Sequence, residues 1–135
     1  MYKYFISAIF LSLHLTSSAS AQFIAQQHTV KDLNNGTNWL RCSVGQAWDP
    51  KLDTCTGKIV KLDHSQIAYA ITEAKRQLGG NWRLPTRSEL ESLVCGACPP
   101  PKINSKYFPN VSPEAYWTSD KNALNPKTYW SINFM

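Results

Sequence analysis

Histidine, glycine and long apolar runs are scarce in this chain, and each scarcity closes off a class of protein. Only three His and six Gly occur among 135 residues. Glycine this sparse excludes a collagen-like repeat or a flexible linker, and a content of 43% apolar against 17% charged residues excludes a disordered tail. Beyond the extreme N-terminus no run approaches the about 18 apolar residues that a membrane-crossing helix needs. The G-x-S-x-G, H-E-x-x-H and G-x-x-x-x-G-K-[ST] strings are all missing. His28 sits in a featureless stretch and His64 just ahead of a helix, where it reads as a solvated neighbour of the cap. Glu89 and Glu91 are two apart on a helix and point to different sides, so they serve the helix dipole rather than form an acid/base pair. Nothing here argues for catalysis, and the chain reads as a non-enzyme without cofactor or metal.

What is present begins with an address. Met1-Tyr2-Lys3-Tyr4 carries one cation, Phe5 to Leu15 is apolar, and Ala19-Ser20-Ala21 is an A-x-A cleavage site, so residues 1–21 read as a signal peptide. The chain is therefore expected to be exported, to the periplasm or beyond it, with no transmembrane segment after cleavage. Residues 22–28 read as a lead-in, and residues 29–135 as one small domain with a modest core.

Within that domain the apolar pattern changes period. Thr29 to Leu33 alternates, Asn34-Asn35-Gly36 is a turn signal, and Asn38 to Cys42 is a second strand, which together predict a hairpin. The segment from Cys42 to Cys55 carries Gly45, Asp49 and Pro50 and reads as loop, while Lys58 to Leu62 alternates as another strand. Ile67, Ala70, Ile71, Ala74 and Leu78 form one helical stripe, capped by Asp63 or Ser65 and stopped at Gly79-Gly80. Thr86-Arg87-Ser88-Glu89 is a capping box for a second, short helix that buries Leu90, Leu93 and Val94 and ends at Gly96. Pro99 to Pro113 is expected to be irregular. Tyr116 to Ser119 and Thr128 to Phe134 are closing strands, with a turn at Asp120 to Lys127.

Four cysteines in an exported chain are expected to be oxidised. Three pairings exist, and local closure favours Cys42 with Cys55 and Cys95 with Cys98. Cys95-Gly96-Ala97-Cys98 also has thioredoxin-like spacing, but it follows a helix, where the dipole opposes a thiolate, and Pro99-Pro100-Pro101 prevents a new helix from starting beside it. A structural clip is the better reading. A four-cysteine zinc site is disfavoured by the oxidising compartment.

Cations outnumber acids, 14 Lys and Arg against nine Asp and Glu, but Lys75-Arg76 is the one adjacent cationic pair. Folding must assemble any basic patch, and the partner it would suit is an anionic polysaccharide or a cell-envelope component rather than nucleic acid. On the last strands Tyr129 and Trp130 must point to opposite faces, as must Tyr116 and Trp117. The candidate binding residues are Arg83, Trp117, Lys127, Tyr129 and Trp130.

The strings Trp39-Leu40-Arg41-Cys42, Gly45-Gln46-Ala47-Trp48-Asp49, Thr54-Cys55-Thr56-Gly57, Tyr116-Trp117-Thr118-Ser119 and above all Trp82-Arg83-Leu84-Pro85-Thr86-Arg87-Ser88-Glu89-Leu90 resemble the Lcl C-terminal domain family, a bacterial exported domain. The resemblance implies an α+β, C-type-lectin-like fold, with two helices flanking small twisted antiparallel sheets. It also implies adhesion or glycan binding, since the family's adhesin member is associated with sulfated polysaccharides. The R-L-P-T-x-x-E string is similar to one in sulfatase-modifying enzymes, whose chains are longer and whose metal-binding cysteines have no counterpart at Cys95 or Cys98. Trp130-Ser131-Ile132-Asn133 departs from the calcium-lectin pattern, so no calcium is expected. The family pattern runs past Asn133-Phe134 to a closing strand, which this reading expects to be lacking, leaving an open edge. The rivals to a recognition module are a sulfatase-modifying-type or thiol-redox enzyme and a truncated family fragment without activity of its own.

Overall fold

The computed structural model describes residues 21–135. The signal peptide read at residues 1–21 lies, but for Ala21, outside the described residues. Over the described residues the fold is α+β, with three small antiparallel sheets and two short α-helices.

The first sheet holds β1 (Phe23–Gln26), β2 (Thr29–Asp32) and β3 (Asn38–Leu40) in that order. The expected hairpin is β2–β3, with Val30 opposite Trp39. Residues 22–28 are more than a lead-in, because Phe23 is buried and β1 pairs with β2 along its length. Burying such a ring stabilises by about 1.5–3 kcal/mol, enough to order a strand whose other side chains face water. Asp32, fully buried at the end of β2, accepts from the Asn34 amide and the Asn35 side chain and so builds the turn that Asn34-Asn35-Gly36 predicts.

Two segments exchange the roles expected of them. Inside the Cys42–Cys55 loop lies a hairpin, β4 (Gln46–Asp49) with β5 (Thr54–Gly57), closed by Asp49 Oδ1 accepting from the Lys51 and Leu52 amides. Lys58 to Leu62, which alternates like a strand, joins no sheet. Its neighbour is the bend at Gly45, and the Val60 amide bonds to the Val44 carbonyl at 2.8 Å in place of a ladder. Gly45 has φ +91°, and a Cβ there would overlap the Lys58 carbonyl, so the two segments approach more closely than a side chain allows.

Asp63 caps a 3-10 turn (His64–Gln66) that leads into α1 (Ile67–Leu78), which ends at Gly79 with φ 68°. α2 (Arg87–Glu91) starts in the Thr86/Glu89 capping box but stops at Ser92, short of the expected Gly96. Leu90 and Leu93 are buried while Val94 is exposed, because the chain has left the helix there and bridges to Ile103. Of the α1 stripe only Ile67 is buried, and Leu78 is exposed.

The chain closes with β6 (Ala115–Asn122) and β7 (Asn125–Asn133), longer strands than expected and joined by a tight turn at Ala123-Leu124 rather than a loop over 120–127. Pro126 is accommodated because β7 pairs on one side only. The core gathers Phe23 and Val30 of the first sheet, Leu90 and Leu93 around α2, Ile103 and Phe108 of the proline-rich segment, and Phe134. Arg41, 4% exposed, pins that segment to the first sheet by donating to the carbonyls of Tyr107 (2.8 Å), Lys106 (2.9 Å) and Gln27 (2.9 Å). Its outer face lies over the Trp48 ring, 4.0 Å from the centroid.

Candidate functional site

The two aromatic pairs on the closing hairpin separate as their alternation requires. Tyr116 turns inward against Phe134, and its hydroxyl accepts from the Ser112 amide at 3.1 Å. Trp117, on the other face, donates Nε1–H to the Leu62 carbonyl at 2.9 Å and meets the edge of His64, with centroids 5.6 Å apart. Tyr129 lies flat on His64, centroids 3.5 Å apart and planes 14° from parallel. Lys121 Nζ stands 5.9 Å from the Tyr129 ring centre.

His64 is thus no solvated cap neighbour. The Asp63 cap fixes the backbone before α1, and that geometry turns the imidazole onto β7, where its Nε2 is enclosed without a hydrogen-bond partner. The stacked pair forms one wall of a recess of about 490 Å³, with Arg83, Thr86 and Ser119 on the others. Arg83 enters from the extended Trp82-to-Pro85 segment and is anchored by the Glu89 carboxylate at 2.8 Å, while its side chain stays 60% exposed. The guanidinium and the Thr86 amide together hold the Glu89 carboxyl at about 2, well below its ordinary 4.5. Thr86 both caps α2 and presents its residue to the recess, so the capping box fixes one wall of the site.

Of the candidate residues, Arg83 and Tyr129 line the recess, and Trp117 backs it through His64. Trp130 does not join them. It faces the opposite side of β7, 40% exposed, with the Arg87 guanidinium 4.2 Å over its ring. Lys127 lies exposed near the tip of the hairpin and has no ion-pair partner among the described residues. Residue chemistry alone missed His64 and Ser119, since no local pattern brings positions 64, 83, 119 and 129 together.

Cys42 is bonded to Cys55 and Cys95 to Cys98. The second pair lies in the irregular segment after α2 and does not line the recess. Among the described residues no three His, Cys, Asp or Glu side chains gather as a metal site, and no helix is long and apolar enough to cross a membrane.

Compared with protein-family models, the chain matches the Lcl C-terminal domain over residues 28–135. No curated protein and no solved structure matches it.

Proposed function

We propose that this chain, which belongs to the Lcl C-terminal domain family, is an exported, non-catalytic recognition module that holds an anionic glycan or surface polymer at the recess between His64, Arg83 and Tyr129. The observation that carries the reading is the His64–Tyr129 stack beside an exposed guanidinium. A sugar ring offers an apolar C–H face to such a ring pair, its hydroxyls suit Thr86 and Ser119, and a sulfate or carboxylate substituent suits Arg83 and Lys121. Lys121 and Lys127 add positive potential along the hairpin that leads to the recess.

Two readings accompany this one. The fold is a C-type-lectin-like version of α+β, supported by three small antiparallel sheets and two helices, of which α2 packs on the closing hairpin. Export is supported by the two disulfides, which persist in oxidising compartments.

Elution from a heparin column in a salt gradient, followed by a glycan array, tests the proposal. Retention at low salt that falls in Tyr129→Ala and in Arg83→Gln is the expected result. Failure of the folded protein to bind any anionic polymer at low salt overturns it.

A further inference from the structure

We infer that the Cys95–Cys98 disulfide is a thiol-exchange site, opened and closed in the folded protein by a partner dithiol, while Cys42–Cys55 stays shut. The inference does not rest on the polymer-binding reading. A helix ending at Cys95 would set its dipole against a thiolate there, but α2 stops at Glu91. The carbonyls of Leu90 and Glu91 are taken by the Leu93 and Val94 amides at 3.2 and 3.0 Å, which closes the negative end of the helix before the sulfur is reached. Cys95 itself joins the chain across from it, its amide donating to the Lys102 carbonyl at 2.8 Å.

Access separates the two disulfides. Cys55 is 1% exposed, and the Asn110 side chain holds its backbone by donating to its carbonyl at 2.7 Å. Cys95 and Cys98 are both half-buried, and Gly96, Ala97, Pro99 and Pro100 around them are exposed, so a thiolate can approach their ring from solvent. The ring spans three residues, and so short a closure restrains the unfolded chain little. Anchors on both sides hold without it. Leu93, Ile103 and Phe134 lie in the core, Val94 bridges to Ile103, and the Lys102 amide donates to the Phe134 carbonyl. Opening the ring frees Gly96 to Pro101 and leaves the fold in place.

In the exchange a donor thiolate attacks the sulfur of Cys95 or Cys98 and forms a mixed disulfide, and the other sulfur leaves as a thiolate. Lys102 favours that thiolate, since its ammonium lies 3.5 Å from the Gly96 carbonyl within the ring and has no acidic partner among the described residues. The donor's second thiol then attacks the mixed disulfide. The donor ends as a disulfide and both cysteines as thiols, the two electrons and two protons of the dithiol having passed to them. A partner protein carrying a dithiol of lower reduction potential fits this chemistry, and a more oxidising disulfide closes the ring by the reverse steps.

Reduction of the folded protein with dithiothreitol, quenched at intervals with iodoacetamide and read by peptide mass mapping, tests the site. Cys95 and Cys98 are expected to be alkylated about tenfold or more faster than Cys42 and Cys55. Urea below the unfolding transition is expected to leave that faster rate nearly unchanged. The protein reduced at this one pair is expected to keep its near-ultraviolet circular dichroism, and oxidised glutathione to close the ring again. Equal rates for the two pairs overturn the inference. Opening of Cys95–Cys98 that accelerates with urea in step with global unfolding also overturns it, since the bond is then reached only in the unfolded chain. Loss of the near-ultraviolet signal on selective reduction overturns it too, by showing that the fold depends on the ring.

Discussion

The Arg83 guanidinium grips the Glu89 carboxylate with two hydrogen bonds, Nη2 to Oε1 at 2.8 Å and Nη1 to Oε2 at 2.9 Å. The same carboxylate accepts from the Thr86 amide at 2.8 Å, while the Thr86 hydroxyl accepts from the Glu89 amide. The W-R-L-P-T-x-x-E-L string is therefore a self-contained device that starts α2 and sets the direction of Arg83. Nη1 also donates to the Leu84 carbonyl at 2.9 Å, so the guanidinium is held from two sides.

Acid should loosen this device. Glu89 sits at about 2 in the folded chain against an ordinary 4.5, so between those values the unfolded chain binds the extra proton. Stability is then fully present above about pH 4.5 and is lost as pH falls toward about 2. With solvent screening the loss is about 1–2 kcal/mol. Urea denaturation across this window should show the slope in the native protein and a shallower one in Glu89→Gln. Identical slopes would remove Glu89 as the cause.

Thr86→Ala should cost about 1 kcal/mol, because the hydroxyl's bond to the Glu89 amide is lost while the carboxylate arm remains. The denaturation midpoint checks it, and an unchanged midpoint would show that the cap contributes nothing.

Arg41→Met should be among the most damaging single changes. Three backbone carbonyls lose their donor at once in a site that excludes water. Leaving buried acceptors unpaired costs about 1–3 kcal/mol each, so a total of about 3 kcal/mol or more is expected in chemical denaturation. A loss under about 1 kcal/mol would mean that water replaces the guanidinium.

Cys42→Ser with Cys55→Ser should destabilise by about 3 kcal/mol, since the bond closes a loop of 13 residues in the unfolded chain. Selective removal of the other pair, Cys95 and Cys98, which closes over three residues, should cost less. Equal losses would refute a loop-closure origin.

Local physics was legible in the residues wherever partners lie close in sequence. The Thr86/Glu89 box, the Asp63 cap, the glycine stop of α1, the β2–β3 hairpin and both disulfides each join positions no more than 13 residues apart, and each is present. Alternation alone misled at Lys58 to Leu62, where the pattern of a strand is present but the neighbouring chain is the bend at Gly45, which the Val60 amide meets through the Val44 carbonyl in place of a ladder. It also misled at Phe23 to Gln26, where one buried ring outweighs an otherwise exposed segment.

The site was only half legible for the same reason. Tyr129 and Arg83 announce themselves by type, an aromatic on a strand and a cation in an extended segment. His64 does not, because its role exists only where the cap before α1 delivers it onto β7, 65 residues along the chain.

The sequence by itself carried the strings that mark the family, and it determined the two clips, the caps and the alternation that parts Tyr129 from Trp130, since these last follow from near-neighbour geometry and the pleat. The tertiary structure alone decided which ring meets which. It stacked Tyr129 on His64, covered Trp130 with Arg87, and held α1 away from the sheets. Contacts between distant segments depend on how whole elements pack, and no local pattern of residues encodes that distance.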